Sequence, residues 1–343
     1  MKKILVTGGC GYIGSHTIVD LIDNGYEVIS VDSNINSDLK VLDSIREITG
    51  VQVKNYTVDL CDLERTERIF ANEKFDGVIH FAALKSVGES VFKPLLYFQN
   101  NLNSLLNVLH CSEKHGVNNI IFSSSCSVYG NAKELPVTEA TPFQEAESPY
   151  ARTKQMGEQM ITDFTNNNKE AKAILLRYFN PAGAHESANI GESPINKSTN
   201  LVPVITETGI GKRDKLVVNG HDYNTRDGSC IRDYIHVMDL ANAHTKALEY
   251  IMEGKNETNC EVFNLGIGEG ASVLEMIHAF EKVTGQKLNY ELGDRRPGDV
   301  EAIYANNEHC MKTLNWKPTR SVEDIMSTAW AWEKVRSEEF IAN

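Results

Sequence analysis

Paired cysteine is the first thing this chain lacks. Its seven cysteines (Cys10, Cys61, Cys111, Cys126, Cys230, Cys260 and Cys310) are scattered, with no Cys-x-x-Cys spacing. That argues against a structural zinc site and against a disulfide framework. The ten histidines form no His-Glu-x-x-His pattern and do not cluster with cysteine, so no metal centre is expected. No apolar run approaches the roughly 20 residues of a membrane span. The start, Met1-Lys2-Lys3-Ile4-Leu5-Val6-Thr7-Gly8, reaches glycine too soon for a signal-peptide core, so the expected setting is cytoplasmic. Positive charge is also scarce: 34 Lys and Arg against 47 Asp and Glu leave a net charge of -13, which disfavours nucleic acid or an anionic membrane as partner. An anionic ligand must then be held by local donors, against the field of the whole chain.

What is present is an ordinary globular composition, 41% hydrophobic and 24% charged over 343 residues, long enough for two closely packed lobes. The first half alternates short β-branched runs (Lys3–Thr7, Glu27–Asp32, Val51–Val58, Gly77–Phe81, Asn119–Ser123, Ala173–Tyr178) with helical patterns (Ser15–Asn24, Leu63–Asn72, Pro94–His115, Pro149–Asn166). Such alternation predicts an α/β fold, a doubly wound parallel sheet with helices on both faces. The division expected is a dinucleotide-binding domain over 1–180, with a returning segment near 232–250, and a smaller α/β substrate lobe over 181–343. Residues 181–203 read as a long ordered loop, punctuated by Ile190, Ile195 and Leu201.

The stretch Ile4 to His16 reads as strand, glycine turn and helix start, with Gly8, Gly9, Gly11 and Gly14 satisfying both GxGxxG and GxxGxxG. Glycine is needed where backbone turns tightly against a pyrophosphate seated on a helix N-terminus. Asp32 ends the second strand 18 residues past Gly14, where a carboxylate accepts from ribose hydroxyls and repels a 2′-phosphate, favouring NAD over NADP. Later strand ends bring Asp59-Leu60 and Phe81-Ala82 toward the same crevice, although core packing is an equal reading of Leu60 and Phe81.

Tyr150 and Lys154 follow Ser148-Pro149, an N-cap and a first-turn proline that predict a helix start. Spacing of i, i+4 puts phenol and ammonium on one face. An unperturbed tyrosine has a pKa of about 10; a neighbouring Lys⁺ and a positive nicotinamide ring would lower it toward use as a base. Ser125, just past the strand Asn119–Ser123, would orient a substrate hydroxyl, with a turn serine bonding its own backbone as the bland alternative.

The blocks VTGGCGYIGSH (6–16), VIHFAALKSVGES (78–90), IFSSSCSVYG (121–130), SPYARTK (148–154), LRYFNPAGAH (176–185), DYNTRDGSCIRDYIHVMDL (222–240), FNLG (263–266), RRPGD (295–299) and LNWKP (314–318) give the chain a wider context. It resembles the extended short-chain dehydrogenase/reductases nearly end to end, and within them the UDP-glucose 4-epimerase family. The resemblance implies bound NAD, contacted by Gly8, Gly11, Tyr12, Ile13, Gly14, Asp32, Asn36, Ser37, Asp59, Leu60, Phe81, Ala82, Lys85, Asn100, Lys154 and Phe179. It implies a UDP-hexose held by Ser125, Tyr150, Asn180, Asn200, Leu201, Arg232, Arg295, Arg296 and Asp299. Tyr150 would take the sugar 4-OH proton while hydride leaves C4, and the 4-keto sugar would be re-reduced on its other face. A homodimer is expected from the family and from the long helices Pro94–His115 and Pro149–Asn166, whose apolar faces equally suit an internal core.

Three positions depart from that pattern or qualify it. The uracil-facing segment carries Val217-Val218-Asn219 where an aromatic is usual, leaving backbone contacts. The loop Ser193 to Thr199 differs from the usual run. Ile303 falls where the family gates sugar size, between a tyrosine that excludes N-acetyl groups and small residues that admit them, which leaves N-acetylated UDP-sugars open. Two rivals remain at this stage. A 4,6-dehydratase or decarboxylase shares the first oxidation, but dehydratases carry an Asp-Glu pair where this chain has Cys126-Ser127. A non-catalytic NAD-sensing protein would not need Ser125, Tyr150 and Lys154.

Overall fold

The computed structural model describes residues 1–194, 198–296 and 299–342; Ile195, Asn196 and Lys197 of the departing loop, and Pro297 and Gly298, lie outside the described residues. Seven parallel strands form the main sheet in the order Cys260–Leu265, Lys172–Tyr178, Asn119–Ser125, Gly77–His80, Lys3–Thr7, Glu27–Val31, Lys54–Tyr56. The order reverses between Lys3–Thr7 and Gly77–His80, the switch point outside which doubly wound sheets bind ligands.

Period-2 alternation distributes side chains to two helix layers. Ile4 and Val6 join Ile18, Val19, Leu240 and Ala247 in one core, under helices Tyr12–Asp23 and Val237–Met252. Leu5 points the other way, into a core with Val78, Val108 and Cys111 beneath helix Pro94–His115. Beside it Leu105, Phe122 and Ile161 bury the helix Pro149–Asn167. That helix starts as its sequence predicts: the Ser148 hydroxyl accepts from Ala151 N at 3.1 Å, and Pro149 fills the first turn.

Several elements differ from the sequence expectation. Strand Lys54–Tyr56 is shorter than 51–58, and helices Lys40–Thr49 and Val87–Phe92 appear where only connections were expected. The strand expected to stop at Ser123 runs on to Ser125, because Ser124 and Ser125 pair with Arg177 and Tyr178. The chain's return to the first lobe also extends past 250: Cys260–Leu265 becomes the sheet's outermost strand, and Cys310, Leu314 and Trp316 enter the first core. A short apolar strand carries no mark of the sheet it will join.

A second core is built on helices Leu201–Gly209, Val273–Thr284 and Val322–Ala342 around Ile205, Val218, Met276, Phe280 and Met326. Two small pieces of sheet connect it to the crevice. Ile231–Arg232 pairs with Ala302–Ile303 and Ala271–Ser272, and Asn180–Ala182 pairs with Tyr234–His236.

Candidate active site

The glycine turn is shaped around an absent side chain. Gly8 sits at φ +68°, and a Cβ there would lie 2.9 Å from Ala82 N; a Cβ on Gly14 would lie 2.2 Å from Gly8 O. Only glycine lets the turn lie this close to the next strand end and to its own helix. No side chain caps helix Tyr12–Asp23, so its N-terminal N–H groups are left for an anion. The buried Asp32 carboxylate accepts from Cys10 N at 3.0 Å, Asn34 N at 2.9 Å and Ser37 Oγ at 2.8 Å. Asn36 beside it is exposed.

The other expected cofactor contacts ring this crevice unevenly. The exposed Asp59 accepts from Cys61 N, Leu60 is buried in the core, and Ala82 packs against that same core. Phe81 lies 4.7 Å from the His244 ring, centroid to centroid. Tyr12 donates its hydroxyl to Gly183 O at 2.7 Å, and Ile13 is partly buried against the first core. Phe179 is enclosed with Val128, Tyr129, Val137, Ile303 and Ala305. Lys85 and Asn200, far apart in the chain, meet on one carboxylate: Glu192 accepts from both, at 3.3 Å and 2.8 Å.

Ser125, Tyr150 and Lys154 converge. Lys154 is buried, its Nζ donating to Ser123 O at 2.6 Å and lying 5.9 Å from the Tyr150 ring centre. Burial pushes the lysine down to about 8, with Glu158 opposing. The Tyr150 ring keeps partial exposure, yet desolvation pushes its phenol up to about 12. A hydrogen bond with Ser125 pulls the other way without prevailing. The fall expected from sequence is therefore not built into the protein alone: the Lys154 ammonium is anchored on a strand carbonyl rather than on the phenolic oxygen, and desolvation wins. Ser125 also accepts from Ser127 N at 3.2 Å as the cap of the turn Cys126–Tyr129, the turn-serine role, while its hydroxyl also bonds Tyr150. Cys126 is pushed up to about 12 by burial, and Ser127 is no acid.

Across the crevice, three basic side chains are parked on carboxylates. Arg232 and Arg296 both reach Asp299, at 3.3 Å and 2.8 Å, and Arg295 pairs with Asp222 at 2.7 Å while lying over the Tyr223 ring. Asn180 starts the short strand that pairs with Tyr234–His236, and Leu201 begins its helix against the second core. In Leu216–Asn219 the strand alternates, with Val217 and Asn219 exposed and Val218 buried in the second core. The Val218 side chain is therefore taken up by the core, a consequence of period 2 in a half-buried strand, and its strand pairs with Tyr290–Gly293.

Comparison with known proteins matches this arrangement to relatives. The family model described as GDP-mannose 4,6 dehydratase matches residues 5–329. UDP-glucose 4-epimerase of Bacillus subtilis is 46% identical over 330 residues, 96% of this chain and 96% of that protein. The structure of UDP-glucose 4-epimerase from Bifidobacterium longum in complex with NAD⁺ and UDP has a TM-score of 0.93 and 44% identity, covering 98% of this chain and 99% of the other. That from Stenotrophomonas maltophila with bound NAD and formylated UDP-arabinopyranose has a TM-score of 0.96 and 40% identity, covering 99% and 100%. The chain belongs to the UDP-glucose 4-epimerase family.

An epimerase's NAD fits the residues present: a turn that a Cβ would fill, an uncapped helix start and a carboxylate 18 residues on. Three polar residues that tie together the elements around this site escaped sequence reasoning. Asn101 accepts from Leu84 N at 2.8 Å and donates to Thr153 Oγ at 3.1 Å, joining the loop after Phe81 to the catalytic helix, whereas Asn100 donates to Asn101 itself. Asp233, fully buried beside Arg232, accepts from Ile267 N, Gly268 N and Ala305 N at 2.7–3.2 Å. Glu158 lies one turn beyond Lys154 and pairs with Arg177. Its i+4 spacing from Lys154 was the one signal on offer; the partners of Asp233 and Asn101 are distant in sequence.

Proposed function

We infer that this chain interconverts UDP-glucose and UDP-galactose, using NAD, by oxidation at C4 of the sugar and re-reduction on the opposite face. The observation that supports it most is the convergence of Ser125, Tyr150 and Lys154 at the C-terminal end of strand Asn119–Ser125, one strand from the sheet's switch point, together with Arg232 and Arg296 on a shared Asp299. In this reading Tyr150 takes and returns the 4-OH proton, Ser125 orients that hydroxyl, and Lys154 holds positive charge beneath the phenol. Bound NAD supplies the hydride acceptor and donor, and its ring charge adds to that of Lys154 in opposing the desolvation of the phenol. Arg232 and Arg296 release Asp299 for diphosphate oxygens, a bidentate match that guanidinium geometry favours. Cys126 and Ser127 provide no carboxylate pair for dehydration, so the 4-keto sugar is reduced rather than dehydrated.

Incubation of the pure protein with UDP-glucose should yield UDP-galactose by NMR or chromatography. A 4-keto-6-deoxy product without UDP-galactose would sink the reading in favour of the dehydratase.

Among the described residues no helix is long and apolar enough to cross a membrane, and all seven cysteines are free, which suits the reducing cytoplasm. Homodimerisation through one helical face completes the reading. Phe92, Leu95, Leu96, Leu106 and Met156 are exposed on the adjoining helices Val87–Phe92, Pro94–His115 and Pro149–Asn167, a patch of the kind that marks an interface. Sedimentation should report twice the 38.3 kDa chain mass and the single-chain mass in Leu95→Glu; a monomeric wild type would refute it.

A further inference from the structure

A buried ion pair that the proposed mechanism leaves unused holds the catalytic helix from behind. Glu158 lies on helix Pro149–Asn167 and is buried. Arg177, in strand Lys172–Tyr178, donates to its carboxylate through Nε at 2.9 Å and a terminal nitrogen at 2.6 Å, and both side chains are at most 6% exposed. The Ser124 hydroxyl donates to the same carboxylate. Ser124 stands opposite Arg177 in the sheet register. It also lies between Ser125 and Ser123, whose carbonyl carries Lys154. One carboxylate thus ties the helix bearing Tyr150 and Lys154 to the strand bearing Ser125 and to the strand next to it. Beyond, Arg177 donates to the Tyr129 hydroxyl at 3.0 Å, and that hydroxyl donates to Asn264 at 2.6 Å.

An enclosed ion pair is no gain in stability over apolar packing, so its place one turn from Lys154 calls for another role. The titratable groups packed around the pair of Tyr150 and Lys154 are His80 from the neighbouring strand, Tyr178 beside Arg177, Cys126 from the turn and Tyr97 from helix Pro94–His115. Burial holds His80 neutral, down to about 3. Burial pushes Cys126, Tyr97 and Tyr178 upward, so they too are uncharged near neutral pH. Arg177 is engaged by Glu158 itself. Glu158 is left as the anion acting on the lysine, and it opposes the desolvation that would discharge it.

Resting on the epimerase reading, we propose that Glu158 is a positioning residue of this active site, fixing where Tyr150, Lys154 and Ser125 meet and supplying the negative charge that keeps the Lys154 ammonium charged. The test is the pH profile of kcat/KM for UDP-glucose in wild type, Glu158→Gln and Glu158→Asp, with bound NAD and melting temperature measured in parallel. Glu158→Gln should retain NAD, lose about tenfold in kcat through misplacement, and move the alkaline limb down by about one pH unit because Lys154 discharges earlier. Glu158→Asp should restore the limb while kcat stays low.

An unmoved alkaline limb in a folded, NAD-loaded Glu158→Gln would overturn the proposal, as would identical profiles for the Gln and Asp variants. If Glu158→Gln leaves Arg177 unpaired and does not fold, Glu158→Gln/Arg177→Gln removes the lone buried charge, and a downward limb shift, smaller because a cation leaves with the anion, is required of it. A wild type that does not convert UDP-glucose would instead defeat the epimerase reading.

Discussion

The two walls of the crevice are held by different means. On the catalytic wall, Lys154, Glu158 and Arg177 are buried, and their hydrogen bonds run to strand carbonyls, a serine and one another. On the nucleotide wall, Arg295 and Arg296 are exposed and their partners are the carboxylates Asp222 and Asp299. A proton transfer tolerates little misplacement, so its groups are fixed by contacts that water does not reach. A diphosphate needs cations that can change partners. Surface ion pairs contribute about 0–1 kcal/mol each and are given up readily.

The largest effect expected from breaking this contrast is on the catalytic wall. Tyr150→Phe removes the proton carrier and leaves the packing of the ring, so turnover should fall by about a thousandfold or more while bound NAD and melting temperature stay near wild type. A steady-state assay beside the absorbance of released NAD checks both; an active, NAD-loaded Phe variant would move the proton to another group.

Asp233 belongs to the seam between the walls, and its signature is pH. Burial holds its carboxyl up at about 6 despite three backbone N–H donors, well above the unfolded value of about 3.9. Because the folded form binds the proton more tightly, this group's contribution to stability is full below pH 4 and is lost as pH rises through 6. The stability gap between wild type and Asp233→Asn should therefore narrow by about 3 kcal/mol across that window. Denaturant unfolding at pH 3 and pH 7, on either side of both values, measures it, and a constant gap would mean that the three donors keep the group ionised throughout.

On the nucleotide wall the expected effect is smaller and of another kind. Arg232→Met should weaken UDP binding by about 10- to 100-fold, the worth of a charged hydrogen-bonding partner, with kcat for saturating UDP-glucose far less affected. Calorimetry with UDP alone isolates the binding term. A fall in kcat equal to that in affinity would place Arg232 with the catalytic residues and erase the distinction between the walls.

The same contrast explains what the sequence revealed. Gly8 and Gly14, the Ser148-Pro149 helix start and the Tyr150–Lys154 pair are local features, in which spacing along the chain dictates geometry within a turn or two. The parallel sheet follows from alternation for the same reason. Glu158 with Arg177, Asp233 with Ala305, and Glu192 with Lys85 pair residues from 19 to 107 positions apart, and only the folded topology chooses those partners. Val218 shows the intermediate case: its segment is found by resemblance, with only backbone contacts expected of it, and alternation then buries the Val218 side chain in the second core. The phenol of Tyr150 is a further limit, because its spacing from Lys154 gives no measure of the desolvation that outweighs the lysine.

The smallest effect expected is at Ile303, and it tests how far the nucleotide wall reaches toward the sugar. Ile303 stands opposite Arg232 in the short parallel pairing and packs with Phe179, Val128 and Cys126, the residue next to Ser125. A single strand position therefore touches both walls, with Arg232 as its ladder partner and the turn Cys126–Tyr129 at its side chain. A change in its volume should act on the sugar substituent nearest that turn and leave the diphosphate grip alone. Ile303→Tyr should lower kcat/KM for UDP-N-acetylglucosamine relative to UDP-glucose by about tenfold, the scale on which a hydrophobic pocket discriminates one group, and Ile303→Ala should shift the ratio the other way. Equal losses on both sugars in the tyrosine variant would mean overpacking of the Val128–Phe179 cluster and would remove Ile303 from the selection of sugar size.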